Sequence, residues 1–173
     1  MTIEPVFEAG VITVQTGTER DGDARSVLEL VEEELNALGG TVREAVEVKP
    51  NLDLIAEQIA LMADRLQLHC VLTVGGTGLH PWDVTPDATM QVIHRPAPGI
   101  AEALRAHVSR SHPEFVLSRG ISGVRGFTLI INLPEARAEL ERCFEALRAL
   151  LPAAVRQLGR LDRAVSYRQL RLL

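Results

Sequence analysis

The chain has 173 residues, within the range of one domain and enough to bury about 70% of its unfolded surface without disulfide or metal staples. With 46% apolar and only 3% aromatic residues, the core is aliphatic and poor in platforms for base stacking, which disfavours nucleic acid as a partner. Net charge is −5, Cys70 and Cys143 lack disulfide-framework or zinc-ligand spacing, and no segment reaches the roughly 18 uninterrupted apolar residues of a membrane span, so a soluble cytoplasmic protein is expected.

Acidic residues crowd positions 1–69 and arginines crowd 134–173, a pattern read as solvated surface; of the 18 basic residues only Lys49 is a lysine. Residues 1–10 read as an irregular lead-in, followed by a buried strand over Val11–Val14 and a polar loop over 15–23. Ser26 and Glu29 have capping-box spacing, and Leu28, Val31, Leu35 and Leu38 recur at helical intervals up to Gly39-Gly40. Thr41–Val48 predicts a second strand with one face partly wet. Asn51 or Asp53 then caps a helix carrying Leu54, Ile55, Ile59 and Met62.

A third strand, Val71–Val74, runs into Gly75, Gly76 and Gly78, which let backbone N–H groups approach an anion closely. Thr85 reads as a hydroxyl N-cap with Pro86 at the first helical position and Asp87 in the positive first turn. Arg95–Gly99 breaks the chain with two prolines before a helix over about 100–109. Ser118-Arg119-Gly120 forms a polar turn, and Thr128–Leu133 is a central strand. An amphipathic helix over Glu139–Leu151, a further helix from Pro152 and an arginine-rich tail complete the chain. One domain is expected, with its core at about 11–151 and a C-terminal helix and tail at 152–173.

The β-α-β-α-β alternation predicts an α/β fold: a three-layer, mainly parallel, doubly wound sheet flanked by helices. In such a sheet ligands bind beyond the carboxyl ends of the strands, at loops 15–23, 48–53, 75–87, 118–120 and 134–136. Asp83 and Asp87 are candidates for positioning a metal or a reacting group, and Arg119 for neutralising an anionic substrate. Neither a P-loop nor a GxGxxG fingerprint is present.

Thr73-Val74-Gly75-Gly76-Thr77-Gly78, followed by Asp83-Val84-Thr85-Pro86-Asp87-Ala88-Thr89, resembles the signature of the MogA/MoaB-type molybdopterin adenylyltransferases, a family that includes the gephyrin G domain. The likeness extends through Pro98-Gly99, Leu117-Ser118-Arg119 and Asn132-Leu133-Pro134. It implies a homotrimer or higher homo-oligomer that binds molybdopterin and adenylates its terminal phosphate with ATP and Mg²⁺. Asp83 and Asp87 are then the catalytic residues, Asp83 also the metal ligand. Thr73, Gly75, Gly76, Thr77, Gly78, Ser118 and Arg119 are the ligand-binding set.

Three positions depart from the family pattern, all at site loops. Gln15-Thr16-Gly17 stands where Ser-Asp-Arg is common, Asn51 where an aspartate follows proline, and Glu135-Ala136 where glycine and a small polar residue follow proline. Glu135 places a negative charge where a glycine amide would face a phosphate. Two further readings therefore stand beside the transferase: a member that binds pterin or acts as a scaffold without turnover, and an enzyme for another nucleotide or phosphorylated substrate.

Overall fold

The computed structural model describes residues 7–16 and 24–159. The expectations for the lead-in before Phe7, for most of the loop over 15–23 and for the arginine-rich tail, together with the capping role of the Ser26 side chain, lie outside the described residues. In chain order the elements are β1 (Phe7–Val14), α1 (Ala24–Ala37), β2 (Gly40–Val48), α2 (Leu52–Asp64), β3 (Cys70–Val74), α3 (Thr85–Val92), β4 (Arg95–Pro96), α4 (Pro98–Val108), a 3-10 turn (Pro113–Leu117), β5 (Ser122–Arg125), β6 (Thr128–Leu133) and α5 (Arg137–Gly159).

The six strands form one sheet in the order β2-β1-β3-β6-β5-β4. The pairs β1/β2, β1/β3 and β3/β6 are parallel, whereas β5 runs antiparallel to both β6 and β4. Every residue of β3 and β6 is buried, as continuous apolar runs covered on both faces require. On one face Leu35 of α1, Leu104 of α4 and Phe144 of α5 pack over Leu72 and Ile131. On the other, Ile55, Ile59 and Met62 of α2 and Ala88 of α3 cover Ile12, Val71 and Ile130. This is the expected three-layer architecture with a mixed sheet.

Four local expectations change. The first strand begins at Phe7, not Val11: Phe7 and Ala9 are fully packed and pair with Gly40 and Val42, so part of the apparent lead-in is core. The β4/β5 edge was not legible because β4 is two residues long and contains a proline, and β5 is interrupted by Gly123. Its hairpin to β6 turns through Gly126-Phe127, a two-residue connection. Pro152 does not begin a new helix; it lies inside α5, where buried Leu151 and Val155 hold the helix continuous despite the missing N–H. Finally, Val84 is the cap residue of α3, and the Thr85 hydroxyl instead donates to the Gly75 carbonyl at 2.8 Å.

Candidate functional site

Strands β1, β3 and β6 end side by side, so the loops that leave them share one rim. In register, Ile12 pairs with Thr73 and Thr73 with Asn132. Asn132 is almost fully buried; its amide donates to the hydroxyls of Thr73 at 2.8 Å and Thr89 at 2.9 Å, and its carbonyl accepts from the Ile121 N–H at 3.1 Å. One side chain thus ties together β6, β3, α3 and the approach to β5. Thr73 is fully buried, accepts from Asn132 in this network and does not line the cleft that opens at the rim.

Beyond β3 the chain turns at Gly75, with φ +100°, and Gly76, with φ +68°. A Cβ on Gly75 would sit 2.8 Å from the Val14 carbonyl, so no larger residue fits between β3 and the end of β1. The turn is locked on both sides: Gly75 N–H donates to Leu133 O at 3.0 Å, and Thr85 N–H to Gly76 O at 3.2 Å. Gly78 is close against Asp83, whose Oδ2 would lie 2.6 Å from a Cβ there. Asp83 is 8% exposed, and the same Oδ2 accepts the His80 N–H at 2.9 Å.

A cleft of 380 Å³ opens at this rim. Gly76, Thr77, Gly78 and Asp83 from the β3 loop, Ser118 from the turn before β5, and Thr16 and Glu135 from the loops after β1 and β6 all line it. Three of the other four loops expected to converge therefore do so around the 75–87 segment, and the fourth, 48–53, does not contribute. Asn51 instead caps α2, its side-chain oxygen accepting the Leu54 N–H at 3.0 Å, a role an amide and a carboxylate fill alike. Of the three departures, Thr16 and Glu135 bear on the cleft and Asn51 does not. The Thr16 hydroxyl donates to Glu135 Oε2, joining the loops after β1 and β6 across the floor.

Arg119 and Asp87 lie behind the wall. The Arg119 N–H donates to Thr77 O at 2.8 Å, one guanidinium nitrogen donates to Asp83 O at 3.0 Å, and another to Asp87 Oδ1 at 2.7 Å. Arg119 therefore braces the glycine loop from outside, with Asp87 as its counter-ion. Arg105, which the sequence did not single out, fixes the neighbouring turn by donating to Ser118 O at 3.3 Å and Gly120 O at 2.7 Å. Its place in the last turn of α4 carried no signal for this.

The sequence also left unassigned two acids of the cleft wall, Glu114 and Glu139. Burial raises the Glu139 carboxyl above its ordinary value; His112 opposes the shift, while Glu114 and Glu135 add to it. Among the described residues no group of three or more His, Cys, Asp or Glu side chains is arranged to hold a metal ion. Asp83 alone still suits Mg²⁺, which is commonly held by one or two carboxylates with substrate phosphates and water completing its shell.

These features, a glycine turn after a central parallel strand with an aspartate on its wall, coincide with a family match. The family described as "Probable molybdopterin binding domain" matches residues 13–153. The chain belongs to this family. The molybdopterin biosynthesis enzyme MoaB from Thermus thermophilus is 36% identical, with a TM-score of 0.78 over 88% of this chain and 96% of that one. The molybdopterin adenylyltransferase of Helicobacter pylori (strain J99) is 38% identical over 103 residues, 60% of this chain and 58% of its own. The molybdenum cofactor synthesis protein cinnamon of Drosophila melanogaster is 38% identical over 107 residues, 62% of this chain and 18% of its own. The chain thus spans little more than half of the Helicobacter relative and under a fifth of the fly protein. No helix among the described residues is long and apolar enough to cross a membrane.

Proposed function

We propose that this member of the family is a molybdopterin adenylyltransferase acting in molybdenum cofactor biosynthesis. The observation that carries the reading is the convergence of the Gly76–Gly78 backbone, Asp83 and Ser118 on one cleft. The name of the Helicobacter relative supports the same reaction and favours turnover over the scaffold reading, and that of the fly relative supports the role in cofactor synthesis.

In the reaction, a terminal phosphate oxygen of molybdopterin attacks the α-phosphorus of ATP. The new P–O bond forms as the α–β phosphoanhydride bond breaks, and pyrophosphate leaves with the electron pair. The chain has little covalent chemistry to perform. The rigid turn at Gly75-Gly76 holds backbone N–H groups of the following residues toward the phosphates, and the Ser118 hydroxyl adds a donor. Arg119 and Asp87 act as positioning residues, fixing the loop that carries Asp83. Asp83 would hold Mg²⁺, which when bound neutralises phosphate charge during transfer. Homotrimeric assembly, a cytoplasmic location and one domain spanning the matched residues 13–153 belong to the same reading. The test is pyrophosphate release that requires both molybdopterin and ATP, with the adenylylated pterin identified by mass; no such product would overturn it.

A further inference from the structure

Trp82 is the only tryptophan of the chain, and it stands at the mouth of the cleft instead of in the core, 47% exposed. It is stacked on a neighbour: the His80 ring lies parallel to it, 4.4 Å between centroids and 7° between planes. Stacking on imidazole covers one indole face, and the Trp82 side chain nevertheless stays about half exposed. A ring ordered before binding loses little conformational freedom when a ligand stacks on it. Leu79, 66% exposed, and Leu117, 56% exposed, extend this apolar rim, while the glycine turn occupies the floor. The cleft is therefore two-part, with an apolar aromatic mouth and a floor formed by the glycine turn and the Thr16–Glu135 pair.

We propose that Trp82, backed by His80, is the residue that receives the fused heteroaromatic ring of the substrate, and that this ring is the pterin. The inference rests on the transferase reading and adds a specificity-determining residue to it. The choice of ring follows from the wall. Glu114 and Glu139 are acceptors when ionised, and a pterin presents adjacent 2-amino and ring N–H donors along one edge, matched to a carboxylate. Adenine alternates donor and acceptor on its pairing edge and would leave an acceptor facing a carboxylate. With the pterin face on the indole, the phosphate-bearing end of the substrate extends toward Gly76–Gly78.

The experiment measures retention of 6-hydroxymethylpterin and, separately, adenosine by equilibrium dialysis against the full chain, using wild type and Trp82→Leu, Trp82→Phe and His80→Ala variants whose folding is checked by circular dichroism. Pterin affinity should fall about tenfold in Trp82→Leu, as loss of one stacking platform implies, and be largely restored in Trp82→Phe, with a smaller loss in His80→Ala. Adenosine retention should not depend on Trp82. Equal pterin binding by wild type and Trp82→Leu, no pterin binding by wild type, or a Trp82 dependence confined to adenosine would each overturn the assignment. Pyrophosphate release assayed on the same preparations separates the two claims. Wild-type turnover with an unchanged pterin KM in Trp82→Leu removes the ring site and leaves the transferase. Trp82-dependent pterin binding without turnover does the reverse.

Discussion

Arg119 donates to Asp87 across 2.7 Å, joining the turn before β5 to the first turn of α3. The two side chains that local sequence rules offer to the ligand as separate charges are here each other's partner, and their joint effect is to hold the glycine loop between them. Both are about two-fifths exposed, so solvent screens the pair.

Arg119→Ala and Asp87→Asn should therefore each lower stability only modestly, with a coupling of about 0.2–1 kcal/mol in a double-mutant cycle read by urea denaturation. Turnover should fall more than stability, because Arg119 also fixes the Thr77 and Asp83 backbone. Equal turnover in wild type and Arg119→Ala would remove its positioning role.

Asn132 is a different case, since its bonds are buried. Asn132→Ala leaves the Ile121 N–H and the Thr73 and Thr89 hydroxyls without this partner, and should cost about 2–4 kcal/mol in denaturant unfolding. Thr73→Val removes one of these bonds and should cost about 1 kcal/mol. A neutral Asn132→Ala would show that the network does not hold the rim together.

Glu135 lies in the cleft beside Gly75, with its carboxylate oxygen 3.4 Å from where a Gly75 Cβ would be. A carboxylate there opposes a phosphate ligand, so Glu135→Gln should lower the KM for molybdopterin, by about threefold to tenfold for a partly screened charge. An unchanged KM would show that the Glu135 charge does not act on the ligand, and a raised one that Glu135 contributes to binding.

Glu139 makes the stability of the fold sensitive to pH. Its carboxyl is raised in the folded chain, so the folded state favours the protonated form, and the penalty for ionisation grows as pH rises from the ordinary value of 4.5 through the raised one. Below both values the penalty is absent. Glu139→Gln should therefore raise the melting temperature at pH 7 and leave it nearly unchanged at pH 4, as differential scanning fluorimetry would record. A larger gain at pH 4 would reverse the sign.

The layers, the parallel strands and the glycine turn were legible because their signals are local: continuous apolar runs for β3 and β6, helical periodicity for α1 and α2, and three glycines in four residues at 75–78. The antiparallel edge was not, since Arg95-Pro96 has strand geometry only through its pairing with Gly123 and Val124. At the site, residue types were legible but not their directions. Nothing in the spacing distinguishes Asp83, turned to the cleft, from Asp87, turned to Arg119, and Thr73 looks like part of the loop until Asn132 is seen to engage it. Thr16 and Glu135 are separated by 119 residues, and only the register of the sheet brings them together.

The most direct measurement incubates the purified chain with molybdopterin, ATP and Mg²⁺ and quantifies adenylyl-molybdopterin and pyrophosphate for wild type and Asp83→Asn. The account predicts equal amounts of both products from wild type and a loss on the order of a hundredfold or more in Asp83→Asn, with the variant still folded. Absence of both products and of bound pterin in the wild type, or full activity in Asp83→Asn, would contradict it.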